Sequence, residues 1–297
     1  MSAKPTVRPA AAAPRALGLA ALGMAAFTLL DVVVKALAPT IPTAELVFFR
    51  FGGTGVILGI YILAFRKAWP RRELLWRHAA RAVLVGLTAM SFFYALSGLP
   101  LALTTALAMT GPVYVGVLSA IFLRETITGA VMTAVAMALV GSVVIVLGNS
   151  EAGLGGTTSW LAWAAAFAAP LFYAGGIVLL KVQASDEPAT AITFAQAMMV
   201  AAAALPATMA TGFVMPQGVE WLMVVALGVL GTAGYLLFVV ALKMIPASLF
   251  ALVDYTALLW AAMFGYVFFG EVPGLTLWIG GAIIIAACVV GLRGARG

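Results

Sequence analysis

Ten apolar segments of about 20 residues follow one another along the chain, separated by short stretches of polar residues, prolines and glycines. They cover residues 17–38, 43–65, 79–97, 101–123, 128–148, 159–181, 189–211, 220–242, 247–269 and 275–293. About 20 apolar residues are enough for a helix to cross a bilayer core, where every backbone polar group needs an internal hydrogen bond. None of the segments alternates as a barrel strand does. The pattern predicts an all-α polytopic membrane protein with ten transmembrane helices, called spans 1 to 10 in this order.

The composition agrees with a membrane protein and offers little for catalysis. The chain is 64% hydrophobic and 9% charged, whereas soluble domains are about 45–50% apolar and about 25% charged. It has one cysteine, Cys288, and one histidine, His78, so it can form no internal disulfide and no His/Cys metal cluster. It also lacks the G-x-x-x-x-G-K-[ST] loop that binds nucleotide phosphates. We expect no cofactor, no metal and no enzymatic activity.

Basic residues indicate the orientation in the membrane. If the N-terminus is cytoplasmic, 14 of the 16 lysines and arginines fall in or beside the cytoplasmic tails and loops, and only Lys35 and Arg50 lie towards the outer face. An excess of basic residues is typical of cytoplasmic loops. We therefore expect both termini in the cytoplasm, and we attribute the net charge of +6 to topology rather than to nucleic-acid binding.

The chain also repeats itself at an offset of 146 residues. Identical residues of three unrelated types coincide at that offset: Lys35 with Lys181, Pro100 with Pro246, and Glu125 with Glu271. Because each half holds five spans, an odd number, the second half must enter the membrane from the opposite side. The repeat predicts two inverted five-helix units, residues 15–150 and 151–297, after a cytoplasmic tail at 1–14. Secondary transporters are often built this way, with the substrate site near the midplane between the repeats.

Two segments carry a resemblance to a known family. The segments "FFYALSGLPLALTTALAMTGPVYVGVLSAIFLRETITG" and "FVVALKMIPASLFALVDYTALLWAAMFGYVFFGEVPG" each contain an Ala-Leu pair, a Leu-Pro or Ile-Pro before a span, and a closing glutamate. They are similar to the tandem EamA repeats of the drug/metabolite transporter superfamily. Within it, the chain resembles the bacterial YddG-type exporters of aromatic and other amino acids. The resemblance implies an inner-membrane exporter whose spans 1, 3, 4, 6, 8 and 9 surround a central cavity.

Polar side chains inside the spans are candidate transport residues, since charge inside a bilayer is costly and usually functional. Towards the outer face, Asp31 and Lys35 of span 1 and Arg50 of span 2 lie at similar depth. They either neutralise one another or form a gate whose pairing changes during transport. Towards the inner face, the repeat puts Gln196 where Arg50 stood, and Asp254 lies in span 9. Asp254 could bind a substrate ammonium, carry a coupling proton or accept a hydrogen bond from a tyrosine.

Prolines, aromatic residues and the closing glutamates complete the candidate set. Pro112 in span 4 and Pro170 in span 6 each remove an intrahelical hydrogen bond, so they are packing kinks or hinges. Glu125 and Glu271 could bond the free N–H groups of the next helix or act on substrate. Aromatic side chains deep in the spans either pack or line a cavity for an aromatic solute, and they are Phe27, Tyr94, Trp163, Phe167, Tyr173, Tyr235, Phe238 and Tyr255.

The sequence therefore predicts a secondary transporter that exports small organic metabolites, most of all amino acids including aromatic ones, across the bacterial inner membrane by alternating access. Such a chain meets lipid and a small-molecule substrate, as a monomer or homodimer. Other cargo, such as cationic drugs, nucleosides or similar metabolites, with or without proton coupling, is the alternative. A channel would need a filter of charges or carbonyls. An intramembrane hydrolase would need neighbouring carboxylates, whereas Asp31 and Asp254 are expected near opposite faces.

Overall fold

The computed structural model describes residues 9–122, 129–148, 160–183, 188–244 and 256–294. Within these ranges the chain forms eleven α-helices and no strand. The helices are α1 Pro9–Leu37, α2 Thr43–Ala64, α3 Leu75–Gly98, α4 Leu101–Ala108, α5 Gly111–Phe122, α6 Gly129–Gly148, α7 Trp160–Gln183, α8 Ala189–Ala210, α9 Glu220–Met244, α10 Thr256–Phe269 and α11 Leu275–Gly294. The predicted all-α class is thus confirmed for the ranges above.

Six helices are long and apolar enough to cross a bilayer, and they correspond to predicted spans 1, 2, 3, 6, 7 and 8. They cover Gly18–Leu37, Thr43–Ala64, Arg72–Gly98, Trp160–Leu179, Thr190–Ala210 and Glu220–Leu237. The 20-residue helices α6 and α11 correspond to spans 5 and 10, and the 14-residue α10 covers the described part of span 9. A multi-pass membrane protein is therefore supported, while the total of ten crossings stays a prediction.

Span 4 is two helices instead of one. Helix α4 ends at Ala108 and α5 begins at Gly111, with a turn at Met109 and Thr110 between them. Pro112 has no N–H to donate to the carbonyl of Ala108. The helix predicted over 101–123 is thus interrupted just before Pro112, where the sequence predicts a kink. A hinge role for Pro112 stays a prediction.

The helix interfaces repeat with the sequence. The most extensive ones join α6 to α11, α1 to α9, α3 to α7, and α2 to α8. The 146-residue offset exchanges α1 with α7, α3 with α9, α2 with α8, and α6 with α11. It therefore converts the α1–α9 interface into the α7–α3 interface. The α2–α8 and α6–α11 interfaces are each converted into themselves, because the offset exchanges their two helices. The two halves are packed around an approximate two-fold relation, as the repeat predicts.

Glycines bring the two repeats into close backbone contact at two crossings. A Cβ atom built on Gly53 of α2 would lie 2.8 Å from the Cα of Gly228 on α9, too close for any side chain. Similarly, a Cβ on Gly141 of α6 would lie 2.8 Å from the carbonyl oxygen of Gly280 on α11. Helices in lipid associate through such close packing because burial from water no longer drives them together.

Candidate functional site

Lys35 of the first repeat and Glu271 of the second form an ion pair at the end of the bundle where α1 and α10 terminate. Lys35 Nζ lies 2.7 Å from Glu271 Oε1, and it also donates a hydrogen bond to the carbonyl oxygen of Leu99. Glu271 Oε2 accepts a hydrogen bond of 2.8 Å from the backbone N–H of Leu101. We call Lys35, Leu99, Leu101 and Glu271 the clasp. It joins the ends of α1, α3 and α4 to the end of α10, and therefore joins one repeat to the other.

Local sequence explains why the Glu271 carboxylate reaches α4. Gly270 follows α10 with φ of 67°, a left-handed conformation that glycine adopts without strain and that commonly ends a helix. On the other side, Pro100 is the residue that precedes α4, and the N–H of Leu101 has no partner within its own helix. The carboxylate satisfies that N–H and is favoured by the positive end of the helix dipole. Glu271 thus caps α4, in the other repeat, and not the next helix α11 as expected from sequence.

The predicted group of outer charges is divided in the structure. Lys35 bonds to Glu271 and not to Asp31, one helical turn earlier in α1. Asp31 and Arg50 are close enough to interact electrostatically, but no direct ion pair joins these two side chains. The Arg50 guanidinium instead lies over the ring of Phe93 on α3, 5.7 Å from its centroid, an attractive cation–π arrangement. Its Nε atom has no hydrogen-bond partner among the described residues.

A second buried cation, Arg81 of α3, is absent from the residues predicted to form the site. Arg81 is only 6% exposed, and its Nε and Nη1 atoms have no hydrogen-bond partner in the part of the chain that the structure describes. Its electrostatic neighbours are Tyr235 of α9 and Tyr173 of α7. The structure therefore brings two of the predicted cavity aromatics to a cation that the charge pattern assigns to the cytoplasmic flank. The sequence contains no clear signal, because predicted span 3 begins at residue 79 and Arg81 falls in its first turn; the helix of the structure begins earlier and places Arg81 deeper.

The other aromatic candidates that the structure describes lie in different surroundings. The ring of Phe27 packs against Gly234 of α9, whereas Trp163 is 8% exposed and belongs to the hydrophobic core. Tyr94 and Phe167 are partly exposed, at 37% and 36%. Among the described aromatic candidates, Tyr173 and Tyr235 are the pair that shares a buried charge.

The remaining predicted residues contribute no further contact to the candidate site among the described residues. Gln196 is half-buried on α8, and α7 continues through Pro170 without interruption. Several candidates lie outside what the structure describes, in whole or in their side chains: Pro112, Glu125, Phe238, Pro246, Asp254 and Tyr255. Their proposed roles stay predictions.

A buried carboxylate anchors the loop between α8 and α9. Glu45, in the first turn of α2, is fully buried, and its Oε2 atom accepts a hydrogen bond of 3.1 Å from the backbone N–H of Val214. Nearby, the rings of Phe49 and Phe213 meet edge to face with centroids 5.8 Å apart. These contacts tie the loop to the first repeat at the same end of the bundle as the clasp.

Comparison with known proteins agrees with this architecture. A model of the EamA-like transporter family matches the chain twice, over residues 14–147 and 159–293. A crystal structure of a protein that is 24% identical has a similar fold, with a TM-score of 0.63 over 96% of this chain and 98% of the other.

Similar sequences include three transporters with different named cargo. The pseudopaline exporter CntI of Pseudomonas aeruginosa is 30% identical over 94% of this chain and 96% of its own length. The riboflavin transporter of Rhizobium johnstonii is 26% identical over 97% and 93%. The S-adenosylmethionine uptake transporter of Rickettsia bellii is 24% identical over 86% of each chain. This chain is therefore a multi-pass small-molecule transporter rather than an enzyme, and it belongs to the EamA-like transporter family.

Proposed function

We propose that the chain is a secondary transporter that exports small organic metabolites across the bacterial inner membrane by alternating access. The observation that carries this proposal is the clasp, in which one ion pair and two hydrogen bonds join the repeats at one end of the bundle. Alternating access requires the repeats to separate at one face while they stay closed at the other. A small polar contact between the repeats can break and re-form in such a motion, whereas a large apolar interface cannot do so cheaply.

The orientation completes the proposal. With both termini in the cytoplasm, as the basic residues suggest, the clasp would close the outer face and Arg81 would lie towards the cytoplasm. This arrangement suits an exporter that loads its cargo from inside the cell. Reporter fusions at the C-terminus test it: a fluorescent protein should mature there, and alkaline phosphatase should stay inactive. An active phosphatase fusion would reverse the orientation and the assignment of the two faces.

Amino acids, including aromatic ones, are the cargo that we propose to test first. Arg81 with Tyr173 and Tyr235 offers a positive charge beside aromatic rings, which suits a solute that combines a carboxylate with a ring. The relatives favour a second candidate, export of other metabolites such as nucleosides or similar compounds, because their named cargoes differ from one another. These names also include both an exporter and an uptake transporter, so the direction has to be measured.

Purified protein in liposomes provides the experiment. We expect saturable uptake of labelled phenylalanine, and unlabelled tyrosine should inhibit it by competition. Glu271→Gln should change the uptake rate, whereas Glu220→Gln should leave it unaltered. Riboflavin and S-adenosylmethionine are measured in parallel, each with and without a pH gradient. Uptake of these compounds without any amino-acid uptake would favour the second candidate, and stimulation by the gradient would indicate proton coupling. No uptake of any solute by folded protein would contradict the proposal.

A further inference from the structure

We infer that Arg81 binds a carboxylate of the transported solute, so that the cargo class is organic acids, amino acids included, rather than neutral or purely cationic compounds. This inference rests on the proposed transport function and specifies its binding site. It starts from the position of the guanidinium, which lies six residues, or about 9 Å at 1.5 Å per residue, inside α3. At 6% exposure the side chain is withdrawn from water.

Among the residues that the structure describes, none forms an ion pair with Arg81. Its Nε and Nη1 atoms have no hydrogen-bond partner, and its electrostatic neighbours are the phenols of Tyr235 and Tyr173. The buried or half-buried acidic residues that the structure describes in the bundle are engaged elsewhere: Asp31 is an electrostatic neighbour of Arg50, Glu45 accepts a hydrogen bond from the N–H of Val214, Glu220 accepts one from the N–H of Gln217, and Glu271 belongs to the clasp. A buried, unpaired charge is strongly unfavourable, and ionisable residues inside a membrane usually serve transport. An anion that binds from outside the chain would remove the free-energy cost of burying this charge.

The repeat shows that the fold does not need a charge at this position. The 146-residue offset places Leu227 of α9 where Arg81 stands in α3. Leu227 is completely buried, so an apolar side chain satisfies the equivalent packing site in the second half. A residue that is required only for packing would not differ in this way between the two halves. The arginine is therefore better explained by a ligand than by the architecture.

The chemistry around Arg81 favours a carboxylate among anions. A guanidinium presents parallel N–H donors that match the two oxygens of a carboxylate, and the unpartnered Nε and Nη1 atoms are available for such bonds. The Tyr235 phenol can donate a further hydrogen bond. One arginine neutralises one negative charge, which suits a carboxylate better than a phosphate dianion.

The test is binding to purified protein, with probe pairs that differ only in the carboxylate. The probes are phenylalanine and phenylalaninamide, benzoate and benzamide, and succinate and succinamide. Melting temperature and affinity are measured for wild type, Arg81→Leu, Arg81→Lys and the control Arg72→Gln, which removes an exposed charge just before the same helix. At least one acid should stabilise wild type and the control, and its amide should not. Arg81→Leu should weaken the affinity for that acid about tenfold or more.

The outcomes separate this inference from a structural role and from the proposed function. Without probes, Arg81→Leu should melt at or above the wild-type temperature, because an unpaired buried charge is removed. A lower melting temperature with the acid effect retained would instead indicate an internal partner, such as Asp254, and would overturn the inference. Equal binding of each acid and its amide, or no binding of any acid, would also overturn it. If Arg81→Leu does not fold, Arg81→Lys, which keeps the charge, is compared with wild type in its place. Transport of a neutral solute, unaffected by Arg81→Leu, would refute the cargo class while leaving the transporter assignment standing.

Discussion

Replacing Glu271 by glutamine removes the charge of the clasp while keeping its shape. The amide oxygen can still accept the hydrogen bond from Leu101 N–H, but the negative charge 2.7 Å from Lys35 Nζ is lost. The Lys35 and Glu271 side chains are 16% and 19% exposed. They thus fall between exposed pairs, which contribute about 0–1 kcal/mol, and buried pairs, whose disruption costs about 3–5 kcal/mol. We expect the clasped state to lose about 2 kcal/mol relative to the open state.

The expected shift can be measured as chemical accessibility. Since about 1.4 kcal/mol corresponds to a factor of ten, 2 kcal/mol raises the open population about 30-fold. Ala102, in the first turn of α4, is 4% exposed and belongs to the hydrophobic core, so a cysteine there should react with a maleimide only when the bundle opens around α4. The background is Cys288→Ser, because Cys288 is the one native cysteine. Glu271→Gln should accelerate labelling of Ala102→Cys by about 30-fold at most, since opening limits the reaction.

Two controls show whether the ion pair is responsible. Glu220→Gln makes the same chemical change at the same end of the bundle, but among the described residues Glu220 forms no ion pair. Its carboxylate bonds the N–H of Gln217 and the side chain of Thr40, and an amide oxygen can still accept such bonds, so the labelling rate should not change. In a double-mutant cycle, Lys35→Met combined with Glu271→Gln should accelerate labelling little more than either change alone. Equal rates for the Glu271 and Glu220 variants, or multiplicative effects of Lys35→Met and Glu271→Gln, would refute the reasoning.

Three further predictions follow from the contacts described above. Gly228→Val should destabilise the protein by about 3 kcal/mol or more, since its Cβ would meet the backbone of α2 at 2.9 Å. Gly129→Ala, with open space around its Cβ, should melt like wild type, and equal melting temperatures of both variants would contradict the prediction. Glu45→Ala should release the loop held at Val214 at a cost of about 1–3 kcal/mol, and protease should cleave that loop faster. Glu45→Gln keeps the hydrogen-bond acceptor and should stay protected, so similar cleavage of both variants would disprove the role of Glu45 as an anchor of the loop. Glu125→Gln, at the repeat equivalent of the clasp glutamate, should slow rather than accelerate the maleimide labelling of Ala102→Cys, because it weakens closure of the opposite face; acceleration would disprove the two-fold mechanism.

Local properties of the chain were sufficient to predict the helices. Apolar runs of about 20 residues in a chain this poor in charge have to satisfy their backbone groups internally, and helices do so without reference to the rest of the fold. The offset of 146 residues was equally readable, because lysine, proline and glutamate rarely coincide by chance in an apolar chain. The interfaces α1–α9 and α3–α7 then follow from that repeat once one of them is known.

The sequence did not predict which residues the polar side chains contact. Lys35 has Asp31 one turn away in its own helix, so spacing favoured the wrong partner over Glu271, 236 positions along the chain. Arg81 lies among basic residues at the start of a helix, where it resembles a topology signal, and only its burial and its unpartnered nitrogens distinguish it. The break at Met109 and Thr110 needed more than a proline signal, since α7 continues through Pro170.

The sequence by itself determined that this protein is an all-helical membrane protein with two related halves, because hydrophobic length and repeat identity are properties of the chain alone. Only the tertiary structure decided that a carboxylate of the second half caps a helix of the first, and that Arg81 is buried with two nitrogens unpartnered among the described residues. Both depend on which helix ends meet across the approximate two-fold relation. That meeting is governed by close packing of glycines such as Gly53 and Gly228 between the repeats, a contact between distant segments that no local pattern encodes.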